Sequence, residues 1–272
     1  MPFTISHIAA VLPLHRPLRR LGLLSAAAIG AMAPDLDLIL PFRVAREQTH
    51  SRMALLTFCL PVGLVAWALF QALIKPALIE VLPDPLYARL CSEHLGKRLG
   101  SVMAWCYAAL ALLFGALTHI MWDAFTHEDG RGARILSELG ERDPELGSSP
   151  WQLFRWLQHG STAVGMAAVL MAIYLWVRHA KQLNPLPERR LAVRERHRWV
   201  AVCALIPALL VGAAVVQTYH NGWPRLYSTG AVTLFAVTGT YDALLALVFT
   251  SALIRRRLLI LDAHRALPDA DA

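Results

Sequence analysis

Five apolar stretches, at residues 53–74, 101–122, 161–177, 199–217 and 231–254, decide the solvent in which this chain folds. Each approaches or exceeds the roughly 20 residues that carry a helix across a hydrocarbon core. Backbone groups in that solvent must satisfy one another, and long apolar runs without period-two alternation do so as helices. With 56% hydrophobic and 17% charged residues, the chain lies far from the balance of a soluble domain. The expected fold class is therefore all-α, a polytopic transmembrane helical bundle.

Two shorter apolar segments, 4–14 and 21–33, precede the first long stretch, separated by His15, Arg16, Pro17, Leu18, Arg19 and Arg20. They predict a short N-terminal helical hairpin and bring the expectation to about seven membrane segments. Ala31, Met32 and Ala33 have the small-residue look of a signal-cleavage site. Pro34 hinders cleavage there, and the region ahead of the apolar run is itself apolar, so the hairpin is read as retained. No linker or internal repeat divides the chain, which reads as a single integral-membrane domain over 1–272. Its polar motifs fall within 1–165, and 166–272 supplies C-terminal helices.

The net charge of +7 is not laid out as a basic groove with interleaved aromatics, which argues against nucleic acid. Arg178, Lys181, Arg189, Arg190, Arg194, Arg196 and Arg198 gather in one loop, and Arg255, Arg256 and Arg257 follow the last apolar stretch. By the positive-inside rule that loop and the C-terminus are cytoplasmic, which puts the polar motifs on the outer face. Arg43, Arg46 and Arg52 against Glu47 vote the other way and are outweighed. Cys59, Cys91, Cys106 and Cys203 form no Cys-x-x-Cys pair and read as small hydrophobes. Nothing in the pattern fixes an oligomeric state.

The chemistry concentrates where apolar stretches end. His119, Asp123 and His127 recur at four-residue spacing, which stacks them along one helical face. His7, Asp35, Asp37 and His50 sit at the ends of other apolar segments, and the hairpin returns Asp35 and Asp37 to the side on which His7 starts. Imidazoles and carboxylates together suit zinc or a similar divalent ion, one or two of them. Each residue alone has an ordinary reading as a cap, a turn former or an interfacial histidine. Together they do not, because ionisable groups at membrane depth are costly and are usually paired or functional. His159 is a candidate supporting group. His220 reads as a solvated helix end, and Asp242, in the last stretch, as a pairing or proton-relay group.

The ordered set Met1-Pro2-Phe3-Thr4-Ile5-Ser6-His7, Ala33-Pro34-Asp35, Thr49-His50-Ser51, Thr118 to His127 and Gln158-His159-Gly160-Ser161 resembles the bacterial integral-membrane family of domain of unknown function 4184. The resemblance covers most of the chain and is strongest over the first 165 or so residues. It implies residence in the bacterial cytoplasmic (inner) membrane and no established activity. More distantly, the order of His, Pro-Asp-x-Asp, His-Ser and His-x-x-x-Asp is similar to that of the YdjM-type membrane-bound metal-dependent hydrolases. That likeness implies His7, Asp35, His50, His119 and Asp123 as ligands. Arg46-Glu47-Gln48 stands here where those proteins often carry His-Arg-Gly.

Two functions follow as expectations. The first is a metal-dependent hydrolase acting on a membrane lipid, a phosphoester above all, with Asp37 or His127 as base or second-ion ligand. The second is a non-enzymatic membrane protein, a cation or proton-coupled carrier or an assembly factor, in which the His/Asp cluster is structural or ion-binding.

Overall fold

The computed structural model describes residues 4–39, 44–90, 100–127, 130–135, 153–183, 185–220 and 246–263. Among them there is no strand, and the chain is all-helical. In chain order the α-helices are α1 (His15–Arg20), α2 (Leu24–Gly30), α3 (Arg46–Thr49), α4 (Leu60–Leu69), α5 (Lys75–Val81), α6 (Asp84–Leu90), α7 (Val102–Thr126), α8 (Leu153–His179) and α9 (Val193–His220). Two 3₁₀ helices, Thr4–Leu14 and Ala33–Ile39, frame the first two.

Three helices among the described residues are long and apolar enough to cross a membrane: Leu55–Val81, Val102–Ile135 and Trp156–His179. They match the first three long apolar stretches. The fourth stretch lies inside α9, and the first part of the fifth lies outside the described residues, its remainder being helical from 246 onward.

The described chain forms two compact units, Met1–Ala68 with Arg98–His179, and Leu69–Lys97 with Ala180–Ala272. In the second, Ala77, Val81, Leu191, Ile254 and Leu258 make the core. Buried Glu80 accepts the backbone N–H groups of Arg190 and Leu191 at 2.7 and 3.0 Å. Arg189 donates to the carbonyls of Glu80 and Leu82 and to Asp84, and lies over the Tyr87 ring. Part of the basic loop used to orient the chain is thus committed to the fold.

In the first unit the N-terminal hairpin differs from its expected outline. Residues 15–20 were predicted as the turn, yet they are helical, and the chain reverses one step later. Pro17 lies within the first turn of α1, where a missing N–H leaves no intrahelical bond unmade. The reversal falls at Gly22, whose φ of 66° a side chain would resist. Leu23 N–H bonds Leu18 O and Gly22 N–H bonds Arg19 O, a Schellman closure of the helix end. The chain then runs back as α2, and Thr4 meets Asp35, so the far end of the hairpin does return to its start.

Helix α7 has 25 residues and spans about 38 Å at 1.5 Å per residue, enough for a hydrocarbon core of about 30 Å. Its buried face is small and polar: Ala108, Ala111, Leu112, Gly115, Ala116, His119, Asp123 and Thr126. Its outward face carries Leu110, Phe114, Leu117, Met121 and Phe125, with Leu110 63% exposed. A water-soluble helix distributes these the other way round, whereas a helix in lipid packs through small residues and turns its large apolar groups outward.

The small face receives α2. Leu112 packs with Ala26, Ala27, Ala31, Trp67 and Val11 in the main core of this unit. The backbones come so close that a Cβ on Gly115 would stand 2.1 Å from Ala27 O, and one on Gly30 would stand 2.2 Å from Leu112 O. Neither obstacle is a side chain that can swing aside. Gly115→Ala should therefore lower stability by about 1–3 kcal/mol or more, read as a fall in the unfolding midpoint of the detergent-solubilised protein. Gly160→Ala, where a Cβ meets nothing within 4 Å, serves as the control and should hold or raise the midpoint, since alanine favours a helix interior. Equal midpoints for the two variants would contradict this packing.

Candidate metal centre

Three short elements deliver side chains to the C-terminal end of the α7 small face. Thr4 and His7 are three apart on a 3₁₀ helix, whose three-residue turn brings them to one side. Asp35 comes from the 3₁₀ helix that follows α2. Arg46 and His50 are four apart across α3 and its C-cap. His119 and Asp123 are one turn apart on α7, and His127 caps that helix. His7, Asp35, His119 and Asp123 are buried, and the His50 side chain is 9% exposed.

Hydrogen bonds on the far side of the rings fix what faces inward. His119 Nδ1 lies 2.7 Å from the carbonyl of Ala31, which only accepts, so Nδ1 carries the proton and Nε2 presents a lone pair. Thr49 Oγ1 donates to Arg46 O, so its contact of 2.6 Å with His50 Nδ1 is accepted from the ring, and His50 Nε2 is likewise bare. Thr4 Oγ1 donates to Asp35 Oδ2 at 2.7 Å, which leaves Oδ1 for the centre. Ring orientation through the outer nitrogen is how metal-binding histidines are held.

The inward atoms converge without bonding one another. His50 Nε2 lies 3.3 Å from Asp35 Oδ1 and 3.4 Å from Asp123 Oδ2. His119 Nε2 lies 3.6 Å from Asp35 Oδ1 and 3.5 Å from Asp123 Oδ2. His7 Nε2 lies 3.5 Å from Asp123 Oδ1, and its ring stacks on His119 with centroids 3.7 Å apart. Donors placed tetrahedrally at about 2.0–2.2 Å from one cation stand about 3.3–3.6 Å from each other. Yet Nε2 of His7, His50 and His119 and Oδ1 of Asp35 and Asp123 are all buried with no hydrogen-bond partner among the described residues. Leaving such an atom unsatisfied costs about 1–3 kcal/mol, so the five together approach the stability of a whole domain. A bound cation removes that cost for each donor it takes.

Two groups satisfy the spacing for a metal ion: His7, His119 and Asp123, and Asp35, His50 and His119. They share His119, whose single free nitrogen serves one ion. Asp123 faces both, with Oδ1 toward His7 and Oδ2 toward His50 and His119. The surroundings favour positive charge. Burial pushes the Asp35 carboxyl up, but neighbouring His50, His119 and Thr4 outweigh it and hold the group below its ordinary value. Burial pushes His50 down, but Asp123 and Asp35 outweigh it and raise the imidazole above its ordinary value.

The profile of the family described as Domain of unknown function (DUF4184) matches residues 1–252. The chain belongs to this family. The match spans every element that contributes to the cluster, and it is the family that the sequence motifs resemble. No curated protein and no solved structure matches the chain.

The other expected site residues fall variously. His127 stays out of both metal groups, but its Nδ1 lies 3.5 Å from Asp123 Oδ2 and its Nε2 is buried without a hydrogen-bond partner among the described residues. Asp37 is half-buried on the Asp35 helix and belongs to neither group. His159 is exposed on α8 and is likewise in neither. Asp242 lies outside the described residues. The sequence reading missed Arg46 and Thr4, counting the first only as a charge. Their signal was periodicity: Arg46 precedes His50 by one α-turn, and Thr4 precedes His7 by one 3₁₀ turn.

Thr4→Val removes only the hydroxyl that aims Asp35, so it should weaken divalent-metal affinity about 10–100-fold in chelator competition. His159→Ala should leave that affinity unchanged. Equal affinity for Thr4→Val and the wild type would show that Asp35 needs no such support.

Proposed function

We propose that this chain is a metal-dependent hydrolase of about seven membrane segments in a bacterial cytoplasmic membrane, acting on a lipid phosphoester at the outer face. The observation that carries the reading is the convergence of His7, Asp35, His50, His119 and Asp123, whose ring nitrogens and carboxylate oxygens approach to 3.3–3.6 Å and each of which holds one buried atom with no hydrogen-bond partner among the described residues. Three apolar helices give it a membrane setting, and the basic loop favours a cytoplasmic C-terminus. The order of the motifs, similar to that of the YdjM-type hydrolases, adds the reaction class.

Imidazole nitrogens with carboxylate oxygens suit zinc, as one ion or two. His7, Asp35, His50, His119 and Asp123 would hold it. When bound, such an ion lowers the pKa of a coordinated water and polarises an ester oxygen. The chain's own residues supply the rest. Ala31 O, Thr49 and Thr4 lock the ligand orientations. His127 is better placed than Asp37 to move a proton, because its Nε2 is buried and uncommitted while its ring borders Asp123. Burial of the cluster excludes bulk water and strengthens each electrostatic contact.

The purified protein should contain stoichiometric divalent metal, and Asp123→Ala should lose it. Phosphoester cleavage in phospholipid vesicles should stop on chelation and return with zinc. His127→Ala should keep the metal yet lower turnover by about 10²–10⁴-fold. A wild-type protein without divalent metal, or an Asp123→Ala variant with full metal content, defeats the proposal. Cleavage that is equal in Asp123→Ala and wild type defeats its enzymatic part.

A further inference from the structure

The cluster holds one group that no cation needs. Arg46 Nη2 donates to Asp123 Oδ2 at 2.7 Å, the same oxygen that borders His50 and His119. Its other terminal nitrogen, Nη1, is buried and has no hydrogen-bond partner among the described residues. The Arg46 side chain is 29% exposed, against 5% for Asp123. It therefore joins the closed cluster to the outside, with one arm committed and one free.

Charge balance gives that arm a purpose. Asp35 and Asp123 together carry two negative charges, which a divalent cation neutralises. Arg46 then leaves the centre one positive charge in excess beside buried Asp123, where an unbalanced charge is costly. A phosphodiester carries one negative charge and restores neutrality. A phosphomonoester overshoots and a carboxylic ester contributes nothing. Guanidinium geometry suits the task, since its fork matches two oxygens of a phosphoryl group.

We propose that Arg46 is the substrate-binding residue that selects a monoanionic phosphodiester at this centre, turning from Asp123 Oδ2 to a non-bridging phosphoryl oxygen while Nη1 takes the other. This rests on the metal-centre reading above. It also explains the direction of the present contact. The guanidinium occupies the carboxylate oxygen that a cation would claim, and an arriving phosphodiester gives it an alternative partner. A lipid headgroup and a free diester present the same monoanion, so the source is a matter for experiment.

The test uses the full chain in a maltoside detergent free of phosphodiester lipid, zinc-loaded, with metal content measured alongside binding. The probes are diethyl phosphate, its neutral counterpart triethyl phosphate, and vesicles or nanodiscs carrying a phosphodiester lipid. Arg46→Gln should keep stoichiometric zinc, bind diethyl phosphate at least about 10-fold more weakly than wild type, and leave the weak affinity for triethyl phosphate unchanged. Arg46→Lys keeps the charge without the fork and should fall between them. Wild-type binding of diethyl phosphate in the absence of the lipid assigns a free diester as sufficient, and binding of the lipid diester alone assigns the membrane source; both support the class. Loss of zinc from Arg46→Gln would make the residue a prop for Asp123 and overturn the inference. So would retained zinc with unchanged diester affinity, and that result leaves the metal centre standing. Absence of zinc from the wild type removes the metal-centre reading itself and this inference with it.

Discussion

The contact on which the cluster depends is a backbone approach with no side chain in it. Gly115 on α7 meets Ala27 of α2 and Ala31 at its C-cap, while Gly30 meets Leu112, each pair too close for a Cβ. Only at that separation does the Ala31 carbonyl reach His119 Nδ1 at 2.7 Å. One hydrogen bond then selects the tautomer of the histidine shared by both metal groups. A helix pair an ångström wider would stretch that contact to about 3.7 Å, beyond hydrogen-bond reach, and the ring would be free to present either nitrogen. Packing in the small-residue seam and chemistry in the cluster are therefore one problem in this fold.

The polar cluster explains why α7 looks inverted. In water, Leu110, Phe114 and Met121 would form the buried face and His119 and Asp123 the exposed one. Here apolar bulk faces outward, and Ala, Gly, His, Asp and Thr turn inward. Lipid gives no reward for burying leucine, so close packing and polar satisfaction decide which face turns in. That inward face is where the N-terminal elements find their partners. His7, Asp35 and His50 each come from short, weakly persistent elements, which hold their positions through Thr4, Thr49 and the α7 groups they approach.

Much of this was legible in the chain because it is periodic. Apolar runs of membrane length gave three of the described spans, and the four-residue spacing of His119 and Asp123 gave the shared wall of the cluster. The ends of apolar segments named seven residues, Asp37 and His127 among them; the YdjM-type likeness implied His7, Asp35, His50, His119 and Asp123 as ligands, and the structure brings those five together. What escaped was either local geometry or distant pairing. The hairpin turn was assigned to the proline and arginines, but a short helix tolerates Pro17 in its first turn and Gly22 makes the reversal. Arg46 looked like a topological charge because its partner lies 77 residues away. The 3₁₀ form of Thr4–Leu14, which places Thr4 beside His7, leaves no mark in hydropathy. The division into two compact units depends on contacts between Lys75–Val81 and the basic loop, again far apart in sequence.

The bond between Ala31 and His119 joins residues 88 positions apart. A ribosome adding about 5–20 residues per second leaves the two separated in time by about 4–18 s. Through that interval Asp35 is already made, with neither His119 nor Asp123 to meet it. Completion of α7 is thus the step at which the N-terminal elements gain the partners they pack and bond against. The centre cannot be made from the first part of the chain alone: a chain truncated ahead of residue 119 keeps Asp35 and His50 but has neither His119 nor Asp123 to meet them.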